Sequence, residues 1–343
     1  MKLWATTVLL TWLLVVAPSA AQAIIVLRDP GRNTAAPAGA LRDCGWQYEG
    51  DWHGFTGTAI GPTSFISAAH VGGYPGAPFV FHGTTYRAID ATVIVGTDLC
   101  VWRISGRMPF WAPLYTGRNE VGREVVLCGR GSDRGAEVRP HGVLLGWRWG
   151  RADTRLSWGR SWIDQDSDMP PPDPGMPTVG ETFLAPFDAD MGADAGCVSG
   201  GDSGGGVFLK DADGIWKLVG VIYGVEIAYS ESKHPADRPS AALFDVRGLW
   251  QIFPGGKTSL VGKDSPEAVP VHSIVSRIAP SVDEIQGAAV SNARMKGLLS
   301  YLAETVGPPI LVVVVLFGIA GTRYGRRRPT HAGTPINAED TAP

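Results

Sequence analysis

The run Gly200-Gly201-Asp202-Ser203-Gly204-Gly205-Gly206 is the strongest local signal in this 343-residue sequence. At ordinary residue frequencies, its central Gly-Asp-Ser-Gly-Gly arises by chance on the order of once in a million positions. A plain glycine-rich turn is therefore a weak explanation. Glycines around a serine can hold the hydroxyl on a tight turn, with backbone N–H groups free to face a substrate oxygen. Because a serine hydroxyl needs a base to act as a nucleophile near neutral pH, a catalytic role for Ser203 requires a partner such as histidine.

His70 is the best candidate for that base among the seven histidines. It ends the run Phe65-Ile66-Ser67-Ala68-Ala69-His70, where a β-type apolar run gives way to small residues that let an imidazole pack against backbone. Taken alone, His70 fits a structural histidine equally well. The other six lie in turn-rich or polar settings, or beyond a C-terminal apolar block, and are expected at the surface.

A third partner would be an acid that fixes the imidazole tautomer. Asp98 opens the largely apolar, strand-like residues 98–104, and a carboxylate in that position is costly unless it is paired. We prefer Asp98 as the partner, with Asp90 second. Either one could instead be a solvated carboxylate at a strand end.

The composition predicts an all-β fold. Glycine (45) and proline (26) make up about a fifth of the chain, against about 12% in average proteins. Short strand-like apolar runs at residues 58–60, 65–67, 91–95, 99–104, 125–127 and 143–145, with Gly or Pro in the gaps, favour a sandwich or barrel, with no long helical period before about Pro280. Residues 211–214 have the composition of a hairpin turn. Hydrophobic content of 44% excludes wholesale disorder, and a net charge of −3 gives no basic field for nucleic acid.

Both ends of the chain are apolar. Residues 1–23 have a charged start, an uncharged apolar stretch and the small-x-small sequence Ala21-Gln22-Ala23, which predicts a signal peptide rather than an uncleaved anchor. Residues 306–322 are apolar and are followed by an arginine cluster. This pattern favours a transmembrane or sorting helix over a buried core helix. A connector over 289–305 and a basic, then polar, tail over 323–343 complete the predicted organisation.

Other features leave alternatives open. The four cysteines permit disulfides in an exported chain, with three pairings allowed. The aspartates around the proline-rich residues 169–175 suit a solvated loop better than a calcium site. Trp147 and Trp149 share one face of a predicted strand, where packing is favoured over a carbohydrate platform. We predict no metal and no cofactor.

Three motifs in order resemble the trypsin-like (chymotrypsin-fold) serine peptidases, of bacterial type: Ser-Ala-Ala-His at 67–70, Thr-Asp-Leu-Cys-Val-Trp-Arg-Ile at 97–104 and Gly-Asp-Ser-Gly-Gly at 201–205. The order His, Asp, Ser differs from that of α/β-hydrolases and subtilisins. The resemblance covers residues 24–286. It implies two six-stranded antiparallel β-barrels with a cleft between them, a C-terminal helix, and a peptidase domain over 24–288.

The resemblance also implies roles for single residues. Ser203 would be the nucleophile, His70 the general base and then acid, and Asp98 its orienter. The N–H groups of Gly201 and Ser203 would form the oxyanion hole. Asp202 would pair with a freed N-terminal amine.

The expected amine is that of Ile24, exposed by signal-peptide cleavage. The implied substrate pocket contains Cys197, Tyr223 and Gly224. Because trypsin itself has an acid where Cys197 stands, we expect no strong Lys/Arg preference at P1.

The sequence departs from the family at three further positions. Val71 stands where a cysteine often follows the histidine, Gly206 replaces a usual proline, and Ile222 stands where a serine often lies. The family pattern also implies a long insertion over residues 229–269, near the cleft rim.

These features together predict an exported, membrane-tethered serine endopeptidase that hydrolyses peptide bonds through an acyl-enzyme. Its partners would be a polypeptide substrate and, through the C-terminal helix, the membrane, with the peptidase domain in the periplasm or at the cell surface. The alternative is a catalytically inactive, peptidase-like binding module at the cell surface.

Overall fold

The structure is a computed structural model and describes residues 24–168, 179–226, 228–233, 241–253, 256–262 and 265–290. The chain divides into two compact units, 1–289 and 290–343, and the fold below is that of the first unit. The predicted signal peptide, the proline-rich loop and the apolar segment 306–322 lie outside the described residues. Within the described ranges, no helix is both long and apolar enough to cross a bilayer.

The described residues are almost entirely strands and turns, so the all-β prediction is confirmed. One helix, α1, occupies residues 282–290, just after Pro280, where the first helical period was expected. The strands are β1 Ile25–Val26, β2 Glu49–Trp52, β3 Phe55–Gly61, β4 Ser64–Ala68, β5 Pro78–Phe81, β6 Thr84–Val93, β7 Leu99–Ile104, β8 Glu124–Gly129, β9 Ser132–Val138, β10 Gly146–Ala152, β11 Ser157–Trp162, β12 Gln165–Asp168, β13 Glu181–Pro186, β14 Gly196–Cys197, β15 Gly206–Lys210, β16 Trp216–Val225, β17 Ala228–Ser230, β18 Ala241–Leu243, β19 Trp250–Ile252, β20 Thr258–Leu260 and β21 His272–Arg277.

The first half of the chain forms a closed six-stranded barrel in the order β2-β3-β4-β7-β6-β5. Its interior is aromatic because alternate strand residues point inward. Phe65 stacks on Phe79 with ring centroids 4.0 Å apart, and Trp52 lies 4.8 Å from Trp102. This barrel fixes the ends of β4 and β7 side by side, and those ends carry the residues discussed below.

The second half is not the second six-stranded barrel that the family resemblance implied. It is a seven-stranded sheet, β11-β8-β15-β16-β21-β13-β12, which remains open at β11 and β12. The edge of β11 is occupied by a different segment, since Arg160 donates its N–H to the Asp194 carbonyl (2.7 Å) and forms a bridge to Ala195. The chain also leaves the sheet after β8, so that β9 pairs with β10 elsewhere.

The region of the insertion over residues 229–269 contributes to two smaller sheets. Strands β17, β19 and β20 form a small sheet of their own, and β18 joins the β9–β10 hairpin. Trp147 is buried there, with its ring 5.8 Å from Phe244 and 6.4 Å from Phe187. Trp147 therefore packs in the interior, as the favoured interpretation predicted, and offers no face to a carbohydrate.

The four cysteines form no disulfide in this structure, so none of the three allowed pairings is present. Cys44, Cys100, Cys128 and Cys197 are all free and buried. Burial raises the pKa of Cys44 to about 11 and that of Cys100 to about 12. These thiols therefore stay neutral at ordinary pH and behave as small apolar side chains.

Candidate active site

His70 and Asp98 meet because β4 and β7 pair in a fixed register. Ala68, the last residue of β4, lies opposite Leu99, the first of β7. One residue beyond that pair, Ala69 donates its N–H to the Asp98 carbonyl at 2.7 Å. His70 then lies in a 3₁₀ turn, Ala69–Val71, directly over the aspartate.

The contact between the two side chains is short. His70 Nδ1 lies 2.7 Å from Asp98 Oδ2, and the His70 backbone N–H donates to Asp98 Oδ1 at 3.0 Å. The aspartate side chain is only 7% exposed, whereas the imidazole is 41% exposed. The carboxylate thus orients a ring that remains open to solvent and substrate.

Asp90, the second candidate for this role, lies elsewhere. It is on β6, where Arg103 Nε donates to its Oδ1 at 2.7 Å. Asp98, and not Asp90, is therefore the carboxylate in contact with His70.

The turn that carries Ser203 packs against the end of β4. A Cβ added at Gly204 would collide with the Ser67 hydroxyl and the Thr56 carbonyl, so only glycine allows this approach. Gly204 also has φ of +82°, a region that other residues rarely adopt. The glycines after Ser203 therefore let its turn approach the strand that leads to His70.

Tyr223 contacts both His70 and Ser203. The Ser203 hydroxyl lies 3.5 Å from the Tyr223 carbonyl, and the tyrosine ring meets the His70 ring edge-on at 5.4 Å. Opposite β21, Ile222 pairs with Val275 and Gly224 with Ile274, which leaves Tyr223 as the extra residue of a β-bulge. Bulges re-aim side chains next to active sites.

Gly201 and Ser203 would supply the N–H groups of the expected oxyanion hole, and both residues are half-buried. Within the described part of the chain, neither donates to a protein acceptor. Gly201 has φ of +100°, and a Cβ there would lie 3.0 Å from Gly131 Cα. The glycine therefore makes this turn conformation accessible, as an oxyanion hole would require.

Asp202 is completely buried and accepts several hydrogen bonds. The N–H groups of Gly131 and Ser199 donate to it at 2.7 Å, and the Ser199 hydroxyl donates at 3.0 Å. Burial raises the pKa of Asp202 to about 6, against the lowering effect of these donors and of the Ile24 backbone N–H. The segment that begins at Ile24, which the family resemblance implies as the partner of Asp202, therefore lies at this carboxylate. Ile24, Ile25 and Val26 are all buried.

The residues that hold Asp202 were not predicted from the sequence. A Cβ at Gly129 or Gly131 would collide with the aspartate side chain. Two glycines two positions apart at the end of an apolar run were the available signal, because such glycines often mark a close approach of backbone to another group. Ser199 gave no comparable signal.

Cys197 is placed in β14, opposite Ile25 of β1. Its thiol is fully buried, contacts the Val198 carbonyl at 3.4 Å, and has its pKa raised well above the ordinary value by burial. The pocket residue predicted from the sequence is thus neutral and enclosed. Among the described residues, no group of His, Cys, Asp and Glu side chains is arranged to hold a metal ion.

Comparisons with known proteins give similarity at the level of structure. No protein-family model and no curated protein matches the chain. A crystal structure of a mutant Rv3671c from M. tuberculosis H37Rv, in an inactive form, matches at 16% identity over 75% of this chain and 97% of that chain (TM-score 0.41). A second inactive-form structure of the Rv3671c protease matches at 17% identity over 56% and 87% (0.37).

Neuropsin, a serine protease expressed in the limbic system of mouse brain, matches at 13% identity over 71% of this chain and 95% of that chain (TM-score 0.42). At these levels of similarity, a functional conclusion has to come from the residues of this chain.

Proposed function

We propose that this protein is a trypsin-like serine endopeptidase. The observation that carries the proposal is the double contact of Asp98 with His70 at the end of β4, against which the Ser203 turn packs. A histidine oriented by a buried carboxylate and a serine on a glycine turn are the groups from which an activated hydroxyl nucleophile is built.

The chemistry follows the three side chains. The Ser203 hydroxyl attacks the scissile carbonyl while His70 Nε2 takes its proton, and Asp98 stabilises the imidazolium that forms. His70 then protonates the leaving amine as the C–N bond breaks, which leaves an acyl-enzyme on Ser203. Water, deprotonated by His70, attacks this ester, and His70 then returns the proton to Ser203 Oγ as the carboxylic acid product leaves. The N–H groups of Gly201 and Ser203 donate to the oxyanion in both halves.

Asp202 would keep that oxyanion hole in shape. We propose that signal-peptide cleavage frees the amine of Ile24, whose N–H already acts on the Asp202 carboxyl. Signal peptidase, rather than an activating peptidase, would thus supply the ammonium. N-terminal sequencing of active enzyme should find Ile24 first, and a start other than Ile24 or Ile25 would contradict this route.

Export and membrane attachment are proposed from residues 1–23 and 306–328. The first has the composition of a signal peptide, and the second is an apolar segment followed by arginines. The peptidase domain would then lie outside the cytoplasm. Fractionation of expressing cells should recover the full-length chain with membranes, and deletion of residues 306–343 should release it.

Labelling of the purified protein with a fluorophosphonate tests the enzyme proposal. Wild type should be labelled covalently, and Ser203→Ala should not. Ser161→Ala is the matched control, because this buried serine donates to the Pro186 carbonyl (2.8 Å) away from the proposed triad. Absence of Ser203-dependent labelling would favour the alternative, an inactive peptidase-like binding module.

A further inference from the structure

The three glycines after Ser203 have no side chains, so their positions depend on what holds their N–H groups. Gly204 donates to the Ile222 carbonyl at 3.0 Å, and Gly205 donates to the Asp202 carbonyl at 3.1 Å. Gly206 differs, because it donates to a side chain, Oε1 of Glu49, at 3.2 Å.

Glu49 belongs to the other half of the molecule. It is the first residue of β2 in the closed barrel, and only 4% of it is exposed. The hydroxyl of Thr58, its neighbour across the β2–β3 pair, lies within hydrogen-bond distance of both carboxyl oxygens, at 3.1 and 3.2 Å. The carboxyl group is thus held by the barrel and in turn holds the backbone three residues beyond Ser203.

The space around Gly206 is filled by this contact. A Cβ at position 206 would collide with Glu49 Oε1 and lie 2.6 Å from Phe208 Cε2. The proline that usually stands here in trypsin-like peptidases has no N–H to donate. Glycine in place of the usual proline at position 206 therefore provides both the N–H and the space that the buried Glu49 carboxyl group needs.

The charge state of Glu49 suits this role. Burial raises its pKa to about 8, and the hydrogen bonds with Thr58 and Gly206 and the positive field of Arg130 oppose the shift only in part. Burial, and to a lesser extent the Glu49 carboxyl, raises the pKa values of the neighbouring thiols of Cys44 and Cys128. At neutral pH, Glu49 is therefore a neutral acid whose carbonyl oxygen can accept from Gly206.

We propose that Glu49 is a positioning residue for the serine nucleophile: its carboxyl group accepts the Gly206 N–H and so fixes the Ser203 turn to the first barrel. This rests on the proposed function of Ser203. Without Glu49, a buried N–H loses its acceptor, and the turn gains freedom at the point where the nucleophile must be aligned.

The test measures fluorophosphonate labelling as a function of probe concentration, which separates the limiting rate from the probe affinity. Glu49→Met keeps the side-chain length and removes the acceptor, so the limiting rate should fall about tenfold, as expected for the loss of one buried hydrogen bond. Glu49→Gln keeps an acceptor oxygen and should restore the rate. Probe affinity should change little, and Ser161→Ala should label as wild type does.

Hydrogen exchange of peptides that cover residues 203–208 gives a second readout. Exchange should be faster in Glu49→Met than in Glu49→Gln or Ser161→Ala. If Glu49→Met does not fold, Thr58→Val removes the hydroxyl that holds the carboxyl group and should change both readouts in the same direction.

The outcomes separate the two proposals. Wild-type labelling with an unchanged rate in folded Glu49→Met would overturn the role of Glu49 and leave the enzyme proposal intact. No Ser203-dependent labelling of wild type would overturn the enzyme proposal, and with it the role of Glu49 in aligning a nucleophile.

Discussion

His70 and Asp98 are joined twice, through the ring Nδ1 to Oδ2 at 2.7 Å and through the backbone N–H to Oδ1 at 3.0 Å. One carboxylate therefore fixes both the rotation of the imidazole and the turn that carries it. A proton held on Nδ1 leaves Nε2 as the free basic nitrogen. The contact with Asp98 therefore determines which ring nitrogen remains free to take a proton from the proposed nucleophile, Ser203.

Replacing Asp98 by Asn should abolish most of the activity while the fold is retained. The amide can keep the shape of the contact but favours the wrong tautomer of His70, a change expected to cost about 10⁴-fold in rate. The measurement is the rate of fluorophosphonate labelling, with circular dichroism as the check on folding. Asp90→Asn is the matched control, since it breaks a contact with Arg103 and should leave labelling unchanged. Equal losses in the two variants would contradict the assignment.

A free amine at Ile24 should stabilise the protein and speed labelling. With only uncharged N–H and hydroxyl donors, the pKa of Asp202 is raised from 3.8 to about 6. Folding then favours the protonated acid, so stability from this group is lost as the pH rises from about 4 to 6. A chain that begins at Ile24 supplies an ammonium and should regain stability above pH 6.

The comparison uses a second chain with Ala23 retained. Chemical denaturation should show the greater stability of the Ile24 form at pH 7, with a smaller difference at pH 4, where Asp202 is protonated. In an Asp202→Asn background the difference should vanish. A difference that persists there would show that the amine acts through another group.

The local elements were the most predictable part of this fold. The apolar runs at residues 58–60, 65–67, 99–104 and 125–127 all lie within strands, and residues 211–214 form the turn of the β15–β16 hairpin. Residues 143–145 were expected in a strand, but β10 begins only at Gly146. The preceding turn, Pro140–Gly142, with His141 at φ +54°, delays the strand.

Long-range features were less predictable. The register that sets Leu99 beside Ala68, and so Asp98 beside His70, follows from the barrel and not from either motif alone. The open second sheet depends on the segment at Asp194 that occupies the edge of β11, and no local pattern marks that contact. Glu49 was likewise invisible as a site residue, because its partner Gly206 lies 157 residues away.

Glu49 should make the protein less stable as the pH rises. Its pKa is raised from 4.5 to about 8, so the folded state holds a proton that the unfolded state releases. The free energy of unfolding should therefore fall by a few kcal/mol between about pH 4.5 and 8. Glu49→Gln cannot ionise and should lack this contribution. Denaturant titrations of both proteins at pH 5 and pH 8 measure it, and parallel slopes with pH would contradict the buried, neutral acid.

Any side chain at position 206 should be destabilising. Gly206→Ala introduces a Cβ that collides with Glu49 Oε1 and crowds the Phe208 ring, an overpacking of about 1–3 kcal/mol. Gly287→Ala is the control, since a Cβ there meets no atom within 4 Å and lies in helix α1. Thermal unfolding should show a lower midpoint for Gly206→Ala and no loss for Gly287→Ala. Equal midpoints for Gly206→Ala and wild type would contradict the packing described.

The active protein should not cleave mainly after Lys or Arg. Cys197, at the expected base of the primary pocket, is fully buried and neutral, because burial holds its pKa far above the ordinary value. Oε2 of the nearby acid Glu226 accepts the His272 backbone N–H (3.1 Å) and lies 2.7 Å from His272 Nδ1, so this oxygen is already engaged. Cleavage of a peptide library should therefore show preferences for uncharged side chains. A dominant Lys or Arg preference that disappears in Glu226→Gln would identify Glu226, rather than residue 197, as the acid that determines specificity.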